Sequence, residues 1–162
     1  MQKIRKLEAG IYGLDEVQPG DWFQTHEKTV TAQMISDHAE LSGDRFEIHL
    51  SDEAARKHGF PSRVAHGLLV LSVLDGMKNN SDVTFRNIAS LHWDWRFVAP
   101  VLAGDTITAR VSVAEKRETK NPERGILTLE YDVTNQDGQQ VQTGRGTLMV
   151  YRQASSCGYS AQ

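Results

Sequence analysis

Two stretches of the chain alternate apolar and polar residues with a period of two. Ile107, Ala109, Val111 and Val113 alternate with Thr106, Thr108, Arg110 and Ser112, and Leu127, Leu129, Tyr131 and Val133 alternate with Thr128, Glu130, Asp132 and Thr134. Gln136-Asp137-Gly138 is a hairpin signal, and Gln140 to Tyr151 is the returning strand. One face of each strand is apolar and the other polar, as in an antiparallel sheet with one solvated side. Trp22 to Val30 reads as a first strand, and Leu91 to Phe97 as part of another. The most hydrophobic run, Val64 to Met77, has a different pattern: its apolar residues fall on nearly every helical face. That predicts a central helix buried on nearly every side, with stop signals at Gly76 and Asn79-Asn80. It is shorter than the ~20 apolar residues a membrane crossing needs. The simplest object is an α+β fold, one curved antiparallel sheet folded around one helix.

The intervening segments have readable ends. Thr31 caps a helix running through Met34, Ile35, His38 and Ala39 to Leu41, which stops at Ser42-Gly43. Ser51 caps a short helix with Asp52 and Glu53 in its first turn, Lys57 and His58 in its last, and Gly59 after it, a charge order that suits the helix dipole. Residues 43–50 form the loop between the two. Pro19-Gly20-Asp21 and Asn121 to Gly125 are turns. Residues 1–152 are expected to form a single domain with an extended arm over 1–20, and residues 153–162 a disordered polar tail. With 162 residues the chain can bury a real core, and its net charge of -3 argues against nucleic acid as a partner. The one cysteine, Cys157, excludes a disulfide framework within the chain. Met1 to Lys6 carries charge with no apolar segment behind it, which points to a cytoplasmic protein with no membrane contact.

Candidate chemistry concentrates in two places. Asp44 and His49 share the loop between the first two helices. A carboxylate and an imidazole that converge can position a water and shuttle its protons; the alternative is a turn-capping Asp44 and an ordinary polar His49. His66 and Gly67 sit where the central helix begins, where unpaired N–H groups carry partial positive charge and can hold a developing oxyanion. Glycine there admits a ligand close to the backbone, or else only permits tight packing, with His66 a satisfied core histidine. Asp75 is an acid inside an apolar helix and needs a partner: an arginine, a loop or a substrate cavity, a structural hydrogen bond being favoured over direct chemistry. His38, His49 and His66 with Asp44 show no tight metal-ligand spacing, so no metal is expected. Trp22, Trp93 and Trp95 are too scattered for a base-stacking platform and read as core or interface residues. Lys116, Arg117, Lys120 and Arg124 form a small basic cluster, either solvated or facing a phosphorylated ligand.

Leu41-Ser42-Gly43-Asp44-x-x-x-Ile48-His49, then Ala54, Val64-Ala65-His66-Gly67-Leu68 and Phe97-x-x-Pro100-Val101-x-x-Gly104-Asp105-Thr106 together resemble the MaoC-like dehydratases, which include the (R)-specific enoyl-CoA hydratases. The resemblance covers roughly residues 15 to 151 and implies a hot-dog fold. It implies that Asp44 and His49 position a water for addition to a 2-enoyl thioester, and that the Gly67 N–H meets the thioester oxygen. His66 and Asp75 are the further substrate-side candidates. It also implies a substrate carried on coenzyme A or a carrier protein, with fatty acid metabolism as its setting. No separate cofactor is implied, and the expected assembly is a homodimer or higher even oligomer. The Trp93-Asp94-Trp95 region is the expected interface patch. Two departures stand out: Phe46-Glu47 replaces the family's Asn-Pro, and Asp75 stands where a Ser often follows. A thioesterase on the same fold and a non-catalytic thioester-binding subunit are the alternatives.

Overall fold

A computed structural model describes residues 4–153. The expected disorder of the tail beyond residue 153, and Cys157 with it, lie outside the described residues, as do residues 1–3 of the arm. In chain order the elements are β1 (Gly10–Tyr12), β2 (Trp22–Gln24), β3 (Lys28–Thr29), α1 (Ala32–Ser42), α2 (Asp52–Lys57), α3 (Gly67–Asn79), β4 (Val83–Phe85), β5 (Asn87–Phe97), β6 (Thr106–Glu118), β7 (Arg124–Thr134) and β8 (Gln140–Tyr151). Short 3-10 turns lie at Leu14–Glu16 and Glu47–His49.

The main sheet is antiparallel and runs β2-β6-β7-β8-β5, with β3 also on β6. The apolar alternation places Ile107, Ala109, Val111, Leu127, Leu129, Tyr131, Val133, Leu148 and Val150 on one face, all buried with Leu69, Val70 and Leu74 of α3. A sheet wrapped on a central helix is the hot-dog arrangement, as expected. Gly144 and Gly146 lie opposite Trp95 and Trp93 in the β5–β8 register. A Cβ on Gly144 would fall 2.5 Å from the Trp95 ring, and one on Gly146 2.9 Å from that of Trp93, so the two glycines make room for the indoles.

Five expectations need correction. Trp22 to Val30 is not one strand: at Thr25 the side-chain hydroxyl, not a carbonyl, accepts the Ala109 N–H at 3.0 Å, and pairing resumes only at Lys28. The arm is not loosely extended. Leu7, Leu14 and Val17 are buried, β1 pairs in parallel with β4, and Leu14 fills the space a Cβ on Gly125 would occupy. Gly76 does not stop α3, because a helical glycine costs only about 1 kcal/mol against alanine and the packed face carries the helix on to Asn79. Nor is α3 covered on every side. Leu68 is 62% exposed and Ser72 is open, because the sheet ends at β5 and does not close around the helix. Trp93 and Trp95 turn inward onto Tyr131, with ring centroids 5.5 Å away in each case, so they build the core side of β5 and are not its outer patch. No helix among the described residues is long and apolar enough to cross a membrane.

Candidate active site

The loop bearing Asp44 and His49 is set by its ends. The Thr31 hydroxyl accepts the Met34 N–H at 3.2 Å and starts α1. Gly43, at a φ of 75°, closes it in the left-handed conformation that a side chain disfavours. Asp44 follows at once. Its carboxylate accepts the Phe46 N–H at 3.3 Å, and its own N–H donates to the Ser42 hydroxyl at 3.2 Å, which bends the chain into the Glu47–His49 turn. Two bonds then tie that turn to the strand-like segment before α3: the Val64 N–H donates to the Ile48 carbonyl at 3.0 Å, and His49 Nδ1–H donates to the Val64 carbonyl at 2.7 Å. His49 is therefore buried and packed, although the sequence suggested a loop residue without core contacts. With Nδ1 committed, Nε2 carries the lone pair in the neutral ring.

His66 caps the start of α3 and donates from Nε2 to the Asp44 backbone carbonyl at 2.9 Å. Its ring stacks on His49 with centroids 3.7 Å apart and planes 24° apart. Asp44, His49 and His66 each bring a donor atom within 4.8 Å of the others. The sequence separates them by up to 22 positions; the loop and the α3 start bring them together. Burial, reinforced by His66, holds the His49 imidazole below its ordinary 6.5, with the Val64 carbonyl and Asp44 opposing.

Gly67 is the first residue of α3, so its N–H has no carbonyl within the helix to bond. A cleft of about 330 Å³ opens beside it, lined by His49, Val64, Ala65, Gly67, Val70 and Phe97 among others. Its lining is mostly apolar, with His49 and Gln142 as its side-chain polar groups. Gln142 is buried and joins two elements: it accepts from Trp95 Nε1 at 2.9 Å and donates to the Gly67 carbonyl at 3.0 Å. The carbonyl of Gly67 is thus held by β8, and Gly67 itself lines the cleft.

Asp75 is not part of this constellation. It lies two turns further along α3, does not line the cleft, and accepts from Lys78 Nζ at 2.7 Å; Lys78 is 2% exposed. The pairing fits the favoured structural reading of Asp75. Burial and Asp75 also push the Tyr131 phenol up, and its hydroxyl is buried without a partner. Of the basic cluster, Lys116 is spent on the Leu14 and Val17 carbonyls at 3.2 and 2.8 Å. The sequence reading missed Gln142, Phe97 and Lys78 as neighbours of the site or of its supports. Lys78 was legible as an i,i+3 partner of Asp75; Gln142 and Phe97 reach Gly67 only through the β5–β8 pairing.

The MaoC like domain family model matches residues 16–135 of the chain. The chain is 36% identical over 112 residues to Protein MaoC of Klebsiella aerogenes, covering 68% of this chain and 32% of that protein. The chain therefore spans about a third of that relative's length. It is 29% identical over 123 residues to an (R)-specific enoyl-CoA hydratase of Aeromonas caviae, 76% of this chain and 88% of that one. Among solved structures, a MaoC-like dehydratase from Rhodospirillum rubrum superposes with a TM-score of 0.80 at 26% identity, covering 87% of this chain and 97% of that chain.

Proposed function

The chain belongs to the MaoC-like domain family, and from that premise we propose that it adds water across the double bond of a 2-enoyl thioester and removes it from the 3-hydroxyacyl thioester. The observation that carries the reading is the convergence of Asp44 and His49 beside an apolar cleft lined also by Gly67, the first residue of α3. In this reading the acyl chain lies in the cleft with its thioester carbonyl at the Gly67 N–H. Asp44 and His49 hold a water over C3. As the water oxygen bonds C3, His49 Nε2 takes its proton, and the lowered proton affinity of the ring keeps that lone pair free at neutral pH. Charge moves onto the thioester oxygen as an enolate, where the helix-start N–H is worth most. The pair then returns a proton to C2. The sum is one water added, and dehydration is the reverse. This is acid–base chemistry and calls for no metal or cofactor.

A homodimer completes the proposal. Among the described residues β5 has a strand neighbour on one side only, and Leu68, Leu91, Phe97 and Val98 are exposed, two of them in the cleft wall. Asp44 is also exposed in the single chain. A two-fold partner over this side would cover the apolar residues and dry the site. Light scattering at low micromolar concentration tests it; a monomer with full activity would remove it. The reaction itself is tested with a panel of enoyl- and 3-hydroxyacyl thioesters on coenzyme A and on carrier protein, followed by absorbance and mass. Interconversion of the two classes is expected, and release of free thiol would favour hydrolysis instead.

A further inference from the structure

His66 lies between two other imidazoles. His49 stacks on one side at 3.7 Å, and His38 of α1 lies against His66 with centroids 4.7 Å apart and planes at 57°. His66 Nε2–H is given to the Asp44 carbonyl, and Nδ1 is buried with no partner. One ring thus touches both members of the reacting pair without presenting a bonded atom to the cleft, whose lining includes His49 and not His66.

We propose that His66, backed by His38, is a positioning residue that holds Asp44 and His49 in one fixed arrangement. The hydrogen bond sets the Asp44 backbone, and the stacked face sets the plane of the His49 ring. The stack also acts on the proton. The titratable groups facing His49 are His66 and Asp44, and those facing His38 are His66, Asp44 and His49. At both rings burial is the main force against a further proton and the neighbouring imidazoles add to it, while Asp44 favours the proton, as the Val64 carbonyl does at His49. The arrangement therefore favours His49 as a base over His49 as a cation.

This role rests on the hydration reading, so its test has one arm that needs no turnover. Wild type, His66→Phe, His66→Gln and His38→Phe are compared in kcat and KM for crotonyl-CoA between about pH 5 and 9, and the His49 ring is titrated by NMR in the unliganded protein. Phenylalanine keeps a stacking face and loses the N–H. His66→Phe is expected to lower kcat about 10- to 100-fold with KM within about threefold, the scale of a misplaced reacting group. Its His49 midpoint should rise, because a neighbour that opposes the proton is gone. Glutamine keeps a donor and should recover part of kcat. His38→Phe should show smaller changes in the same directions. Wild-type kcat together with a wild-type His49 titration in His66→Phe overturns the proposal, as does a change confined to KM, which would make His66 a substrate contact. If His66→Phe does not fold, unaltered kcat and titration in the other two variants overturn it. A wild type inert toward every enoyl thioester sinks the hydration reading, and the titration arm then decides the positioning role by itself.

Discussion

Replacing Gly67 by alanine puts one methyl group at the point where α3 meets the cleft. Built on the existing backbone, that Cβ falls 2.7 Å from two atoms of the Phe97 ring and 2.9 Å from a third, closer than carbon atoms pack. Phe97 is 57% exposed, so its ring can swing aside, and Gly67 is not among the glycines with positive φ, so alanine suits its backbone. Alanine also gains up to ~1 kcal/mol in helix propensity over glycine. Because the contacted atoms are the far end of an exposed ring that can move, stability should change by about 1 kcal/mol or less, a shift in Tm of roughly 2–4 °C. Activity is different. Gly67 and Phe97 both line the cleft, so the methyl and the displaced ring would crowd the place proposed for the thioester oxygen. Loss of one oxyanion donor costs about 10²–10³ in kcat, ~2.7–4 kcal/mol. Thermal melting and steady-state kinetics on an enoyl-CoA, run on the same preparation, separate the two effects. A near-native Tm with kcat/KM down about a hundredfold is expected. Activity within about threefold of wild type at unchanged Tm would mean that Gly67 is a packing glycine and that the N–H takes no part.

Asp44→Asn and His49→Gln should each lower kcat about 10²–10⁴-fold in folded protein, read by circular dichroism beside turnover; near-native rates in either would remove the pair from the mechanism. His49→Ala should in addition destabilise by about 1–3 kcal/mol, since the buried Val64 carbonyl loses its donor, whereas glutamine can keep one. His38 and His49 both titrate below 6.5 in the folded protein, so the unfolded chain binds more protons as pH falls. Stability should hold above 6.5 and decline as the pH drops through 6.5 toward the lower folded values; a Tm series across that range checks the sign, and the acid limb of kcat/KM should likewise lie below 6.5. Asp75→Ser removes the carboxylate that Lys78 holds and should lower stability by about 1–3 kcal/mol while the preference among acyl chains stays put, with Lys78→Met recovering much of the loss in the double variant. A changed acyl preference at native Tm would instead put Asp75 in the substrate pocket.

Local rules carried the sequence reading a long way. Strand alternation placed β6 and β7, and Thr31, Gly43, Ser51 and Gly59 marked helix ends that depend only on their own hydrogen bonds and φ angles. Asp44 and His49 stood out because a single short loop carries both, and it was the family resemblance, not their spacing, that favoured them as the reacting pair. What stayed hidden depends on elements meeting across the fold. His38 reaches His66 only when α1 lies beside the start of α3. The burial of Leu14 needs Gly125 on a distant strand, and Thr25 interrupts its strand because its hydroxyl finds Ala109. The inward turn of Trp93 and Trp95 follows from the glycines opposite them on β8, a pairing that periodicity along β5 alone does not reveal.

The most direct test of the central claim is to run the reaction in heavy-oxygen water with crotonyl-CoA and locate the label in the product. Hydration by Asp44 and His49 places it on the C3 hydroxyl of an intact thioester, at a rate that falls in His49→Gln. Label in a free carboxylate, with thiol released, or no label at all, would contradict the account.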